Sequence, residues 1–519
     1  MLREALTKLA CALLLLAALL ALACGLIGCG GRDSIPAGYV RLALETDPLN
    51  LDPRLAIDAA SVRVSQLLYN GLLRLDARGR LACDLAQSWA LEGDRTYVVQ
   101  LRPGVRFHDG HLLSVRDVVY TYRSILDPAL ASPRKEGLSR LASVTATGPL
   151  TVRFTLSEPY APFLDELMQP VVPEGAGKDF GAHPVGTGPY MFSRWLPGER
   201  VELAAFARHF GGAPQVPGLA IRILPDDTTR VLELERGGLD LVQNLVGPDM
   251  VARLSANPRL KVLTSPGSIY CYLGFNLNDP LLSRPLVRQA LAHALDVPAM
   301  IRHLYKGLAR PADSLLPEEH WAYAPGLPHY GYDPALAERE LDRAGLNRGE
   351  DGWRCTLLYK TTQMDMSKRK AELIQHELAA VGIKVEIRSY EWATFFADIQ
   401  RGSFQLYSLD WVGLSDPDIY RYMFHSASTP PDGANRGRYR NPEVDRLLDE
   451  GRRTLDPAAR ADIYRRVQAI VARDLPYLSL WHYTNVVVMS ADLTGFTPYP
   501  DGSWQSMKDL RRVERRASS

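Results

Sequence analysis

The stretch Cys355-Thr356-Leu357-Leu358-Tyr359, read together with residues 368–381 and with Ile383-Lys384-Val385-Glu386-Ile387, decides the fold class. The first run is strand-like. Residues 368–381 place Ala371, Ile374, Leu378 and Val381 on one face at helical spacing, and Gly382 stops the helix. Ile383, Val385 and Ile387 then alternate with charged residues, as in a half-buried strand. A strand, a helix and a strand in this order form a crossover between parallel strands, which makes the surrounding lobe α/β.

The same texture extends on both sides of this unit. Asn441-Pro442 and Asp456-Pro457 each put a capping residue before a proline at the first helical position, and the second helix carries Ile463, Val467, Ile470 and Val471 on one face. Near the start, residues 40–44 form a short strand candidate that ends at Asp47-Pro48, and Leu51-Asp52-Pro53 repeats the turn chemistry. Residues 97–101 and 105–107 are strand-like, with a turn at Asp109-Gly110. The basic run at residues 511–516 reads as a solvated, frayed end.

Nineteen uncharged residues, 9–27, follow Arg3 and Lys8 and run into Leu26-Ile27-Gly28-Cys29. A basic start, an apolar core and small residues before a cysteine form a lipoprotein export signal, cleaved after residue 28 and lipidated at Cys29. Cys24 is an alternative acceptor, and the apolar run also reaches the length of a membrane span. Gly30, Gly31 and Arg32 follow in place of an aromatic belt or a basic stop-transfer cluster, so residues 29–38 read as a tether. The expected location is the periplasm or cell surface, with the membrane reached through the lipid.

With 46% apolar and 23% charged residues the body has globular composition. Loss of residues 1–28 removes Arg3, Lys8 and Glu4, so 60 basic and 59 acidic residues become 58 of each. That balance excludes a nucleic-acid partner, which would require a basic excess. Cys83, Cys271 and Cys355 remain beside Cys29 and allow at most one disulfide. The mature chain has no CxxC, HExxH or G-x-S-x-G pattern, so neither a zinc site, a cofactor nor a hydrolase is expected. His108 and His111 flank Asp109-Gly110, where a hairpin turn accounts for them better than a metal.

A series of blocks runs along the chain: Leu51-Asp52-Pro53, Tyr69-Asn70-Gly71-Leu72, Leu85-Ala86-Gln87-Ser88-Trp89, and Arg102-Pro103-Gly104-Val105-Arg106-Phe107-His108-Asp109-Gly110 followed by Asp117-Val118-Val119-Tyr120. Pro184-Val185-Gly186-Thr187-Gly188-Pro189-Tyr190, Leu273-Gly274-Phe275-Asn276 and Val287-Arg288-Gln289-Ala290-Leu291 continue the series. Each block alone is weak, and in this order over residues 40–490 they specifically resemble the extracytoplasmic solute-binding family 5, the peptide-binding receptors of ABC importers.

The resemblance implies a two-lobed type II periplasmic-binding-protein fold with an additional α+β domain. Lobe I would comprise residues 39–57, 184–271 and 486–519, the added domain residues 58–183, and the second lobe residues 272–485. Crossings near Cys271 and Asn485 would form the hinge. It further implies a monomeric receptor that closes over a short peptide or similar solute and delivers it to permease and ATPase subunits. A non-peptide solute such as a metallophore or glycoside, a sensor or chaperone role, and an envelope hydrolase are the other readings.

Residues 404–411 form an apolar strand ending at Asp410-Trp411, and ligands dock at strand ends in α/β lobes. An aromatic beside small residues offers a flat wall for a ligand, so Trp411, Gly413 and Leu414 are site candidates, with lobe packing as the alternative for Trp411. Asp416-Pro417-Asp418 reads as a helix cap rather than a cation cluster. By resemblance, Ile57, Asp58, Tyr483, Asn276, Tyr390 and Trp392 join the wall. In the peptide receptors of the family an aspartate soon after the matching tryptophan pairs with the ligand α-amino group. Here Val412, Gly413, Leu414 and Ser415 stand in that place, so either Asp410 or Asp58 substitutes or the ligand carries no such group.

Overall fold

A computed structural model describes residues 34–513, and the expected export signal and Cys29 lie outside the described residues. The 355–390 segment folds as its pattern requires. Cys355–Thr362 and Ile383–Tyr390 pair in parallel, Cys355 opposite Ile383 and Thr362 opposite Tyr390, with the helix Asp365–Ala380 crossing between them. Leu406–Trp411 joins in parallel on the other side of Cys355–Thr362. The helices Pro442–Arg453 and Pro457–Asp474 start at their predicted caps, Asn441 and Asp456.

Eleven strands form one sheet that runs through both lobes. Two of them cross. Leu260–Phe275, 16 residues long, and Tyr477–Ser490, 14 residues long, pair antiparallel along most of their length. At one end they meet the lobe I strands Val40–Leu44, Gly218–Ile223 and Leu241–Gln243, which are mutually parallel. At the other end they meet Leu406–Trp411 and its parallel neighbours. The ladder shifts register between Pro266 and Tyr270, opposite Thr484 and His482. Cys271 follows this shift directly and pairs with Asp410 in the second lobe.

The lobe I core joins Val40, Leu42, Tyr190, Val201, Leu219 and Trp504. It also contains Ala60, Val64, Leu67 and Leu68 from the helix Ala59–Leu68. That helix buries its apolar face against the lobe I strands. The core of the added domain is separate, built by the order Ala86–Glu92, Thr96–Leu101, Thr151–Leu156, Leu141–Ala146 beneath the helix Val115–Leu126. Strict alternation decides these strands: Tyr97, Val99 and Leu101 face Val152, Phe154 and Leu156 in the interior. Residues 105–107 contribute only an isolated bridge, Arg106 to Leu112, around the Asp109-Gly110 turn.

Several motif blocks have direct structural causes. A Cβ at Gly186 or Gly188 would overlap the Leu67 and Leu68 carbonyls, so only glycine lets this segment lie against the end of the Ala59–Leu68 helix. Ser114 and Asp117 form a capping box on the Val115–Leu126 helix. The three cysteines are free thiols. Arg511–Arg512 is a short strand on Leu493–Thr494, and Arg512 pairs with Asp240 at 2.9 Å and Asp492 at 3.0 Å, so this part of the basic run is docked rather than frayed.

Asp52 and Arg54 form a fully buried pair at 2.7 Å, and Arg54 also donates to Ser124 Oγ and the Ala176 carbonyl. This pair locks the first lobe I loop to the added domain. Arg54→Ala strands the Asp52 carboxylate without its cation, and denaturant unfolding is expected to show a loss of about 3–5 kcal/mol.

Candidate functional site

In both lobes the parallel strands end towards the crossing. Gln243 pairs with Val487, a few residues from the register shift, and Trp411 pairs with Tyr270 directly after it. Parallel pairing carries Thr362 and Tyr390 to the same edge as Trp411, and Leu44 and Ile223 to the same edge as Gln243. Helices that follow these strands begin here too: Asp58 caps Ala59–Leu68, Asp226 caps Asp227–Arg236, and Glu391 caps Trp392–Arg401. Strand carboxyl ends and helix amino ends of two lobes thus converge on one line, the arrangement by which α/β sheets bind ligands.

Asp410 and Trp411 leave opposite faces of the same strand end. On one face, Tyr483 Oη donates to both Asp410 oxygens at 3.2 Å, Tyr305 Oη lies 3.4 Å from Tyr483 Oη, and Lys370 Nζ donates to Cys271 Sγ at 3.2 Å. Burial pushes the Tyr483 phenol well up, so it stays a donor. The Cys271 thiol is pushed up to about 12 by burial, against the opposing pull of Lys370. Asp410 itself is exposed.

On the other face, Trp411 packs edge-on against Tyr422 and lies over the Arg436 guanidinium at 5.2 Å, with the Phe396 ring 5.4 Å from the same cation. Tyr390 and Trp392 flank Glu391 at this edge; Tyr390 lies over Lys360, and Trp392 stacks on Phe396 at 5.5 Å. Buried polar atoms without a hydrogen-bond partner occur at these strand ends: both side-chain atoms of Gln243, Thr362 Oγ1, Trp411 Nε1 and Arg436 Nε.

The remaining sequence candidates are distributed. Ile57 is 66% exposed at the lobe I edge, and Asp58 spends its carboxylate on Ser61 N as a helix cap. Gly413 is exposed with φ 72°, whereas Leu414 is buried in the second-lobe core. Asn276 lies at the far end of its strand, beyond the Phe275–Leu406 pair, and its amide donates to the Gly402 and Phe404 carbonyls. It is thereby set apart from Trp411. Asp416 Oδ1 accepts from Asp418 N at 2.7 Å in the turn that leads into the helix Ile419–Phe424, as its cap reading requires, and also grips Arg460 at 2.6 Å, whereas Asp418 gives no side-chain cap and pairs with Arg452 at 3.0 Å. Among the described residues no group of histidine, cysteine or acidic side chains could hold a metal, and His108 sits against the Gly186 and Gly188 backbone.

Two lobes whose strand ends oppose each other across a shared pair of long strands, with an aromatic wall at one of those ends, define the class, a two-lobed solute receptor. The chain belongs to the bacterial extracellular solute-binding proteins, family 5, whose middle-region model matches residues 80–431. The glutathione-binding protein GsiB of Shigella boydii is 29% identical over 478 residues, 89% of this chain and 92% of that protein. Among solved structures, the ABC transporter substrate-binding protein CtaP of Listeria monocytogenes matches with TM-score 0.84 at 25% identity, covering 92% of this chain and 99% of that one. DppA of Helicobacter pylori in complex with the peptide STSA matches with TM-score 0.77 at 26% identity, covering 92% and 98%. NikA of Brucella suis in complex with Fe(III)-EDTA, at 24% identity and TM-score 0.84 over 92% and 100%, shares the fold. The chain is accordingly a solute-binding protein of the ABC-importer kind and not an enzyme.

The loop after Trp411 is also tied to the added domain. Ser415 Oγ donates to Asp165 Oδ2 at 2.5 Å, and Arg452 lies over the Tyr160 ring at 5.2 Å. Burial first, then the neighbouring Asp416 charge, pushes the Asp165 carboxyl up to about 7. A carboxyl raised on folding favours the folded state fully below its ordinary value of 3.8, and that advantage is lost progressively as pH rises from there to about 7. Asp165→Asn is expected to raise Tm most at pH 8, less at pH 5, and least below the ordinary value of 3.8, measured by differential scanning calorimetry.

Proposed function

We propose that this chain is a lipid-anchored receptor that captures a short peptide or peptide-like solute between its lobes and presents it to the permease of an ABC importer. The observation that carries the reading is the convergence of both lobes' strand ends on the hinge, with Asp410 and Trp411 at the same point of the second lobe. The ligand stabilises the closed state through contacts made with both lobes at once.

Asp410 is the proposed partner of a ligand ammonium. It is exposed, it borders the crossing strand through Tyr483, and it forms no ion pair within 4.0 Å among the described residues. Asp58 is already committed to its helix cap. Trp411 provides the apolar wall on the neighbouring face, and Ile57 supports the proposal of a matching apolar contact from lobe I. GsiB by name binds glutathione, and DppA was solved with a peptide; both ligands are short peptides and favour this class over glycosides. The anchor at Cys29 rests on the sequence and would keep the receptor beside its permease.

Trp411→Ala is expected to weaken solute binding by about tenfold or more in calorimetric titration, with the fold retained. Asp410→Asn should weaken amine-bearing peptides selectively, leaving N-acetylated ones unaffected. Mass spectrometry of the cleaved, purified protein is expected to find a diacylglycerol thioether on Cys29, and an unmodified Cys29 would remove the anchor from the proposal.

A further inference from the structure

Arg436 is a buried cation with no carboxylate partner among the described residues. It is 7% exposed, and none of the ion pairs among the described residues includes it. Its side chain donates through Nη1 to Tyr272 Oη at 3.1 Å, and Nε has no partner. The phenols around it supply no counter-charge. Tyr272, Tyr407 and Tyr477 form a chain of hydroxyls at 3.4 and 3.3 Å, and burial pushes all three up, so they stay neutral. The other neighbours are the Trp411 and Phe396 rings, which hold the guanidinium by their faces.

The position is built. Asn435 Nδ2 donates to the His425 and Tyr439 carbonyls, and its Oδ1 accepts from Tyr439 N, which fixes the loop carrying Arg436. Leu277 N donates to the Gly437 carbonyl at 2.9 Å, where a Cβ on Gly437 would crowd the Phe275 carbonyl. Trp411 Nε1 is a second buried donor without a partner, on the ring that covers the cation. A desolvated guanidinium lacking a carboxylate is costly, and an anionic group arriving with a ligand would offset that cost.

We propose that Arg436, with Trp411 Nε1, is the anchor for a carboxylate of the bound solute. This deepens the receptor reading and rests on it. Asp410 and Arg436 then receive opposite charges on the two faces of one strand end, so the preferred solute is zwitterionic or acidic, with a carboxylate presented to the Trp411 face.

The test uses the full mature protein in detergent, stripped of bound solute, and calorimetric titration with matched pairs: trialanine and trialanine amide, glutathione and its diethyl ester. The wild-type protein is expected to bind each acid about tenfold or more tighter than its neutral partner. Arg436→Gln should abolish the preference and Arg436→Lys restore part of it, with thermal melts confirming that both variants fold. Equal affinities for acid and neutral partner in the wild-type protein, which need no variant, overturn the anchor and leave the receptor reading standing, as does a preference that survives Arg436→Gln. Failure of the wild-type protein to bind any of the four overturns the peptide-receptor reading and the anchor together.

Discussion

Two strands must serve two lobes at once, and the rest of the molecule follows from how they do it. Backbone amides and carbonyls have to stay paired along Leu260–Phe275 and Tyr477–Ser490, while the chain between the lobes has to bend. The ladder resolves this by slipping register over a few residues beside Gly267, where a side chain would collide with the Tyr483 carbonyl. Side chains take over the lost pairing. Asn485 donates to the Tyr499 and Pro500 carbonyls and accepts from Asn244, whose own oxygen receives Val486 N. The carboxy-terminal segment thereby braces the crossing from outside.

Because Leu241–Gln243 and Leu406–Trp411 each pair antiparallel with a crossing strand, the parallel strands of both lobes have their carboxyl ends turned inward. The binding line is therefore a product of topology before any ligand-specific residue is chosen. Chemistry then differs by face. Alternation along Leu406–Trp411 sends Asp410 to the side of Tyr483, Cys271 and Lys370, and Trp411 to the side of Arg436 and the stacked tyrosines. One face carries the Asp410 carboxylate, and the other the Arg436 guanidinium.

The periodic parts of this design were legible from sequence. The 355–390 unit, the capped helices at Asn441 and Asp456, and the edge position of Trp411 all depend on local patterns that burial preserves. What depended on long-range partners was not legible. Helix Ala59–Leu68 has an apolar face that suits either core, and only its contacts with Val40, Leu42 and Trp504 assign it to lobe I. Asp416-Pro417-Asp418 has the composition of a cap and Asp416 does accept from Asp418 N, but the pairing of these carboxylates with Arg460 and Arg452, distant in sequence, had no local mark. Arg436 sits in an Asn435-Arg436-Gly437-Arg438 loop, where no periodicity marks it. Asn276 followed the family pattern and is nevertheless occupied by the Gly402 and Phe404 carbonyls.

The added domain enters and leaves lobe I through adjacent backbone, with Val171 N donating to the Asn70 carbonyl at 2.9 Å and Gly71 bridging Pro170. Its two ends are therefore neighbours in one short ladder, and the chain could close there in a tight turn. Such a domain is a cassette. Lineages could enlarge, replace or discard it while the two-lobe machine stays in register, provided the buried Asp52–Arg54 clasp is redesigned with it.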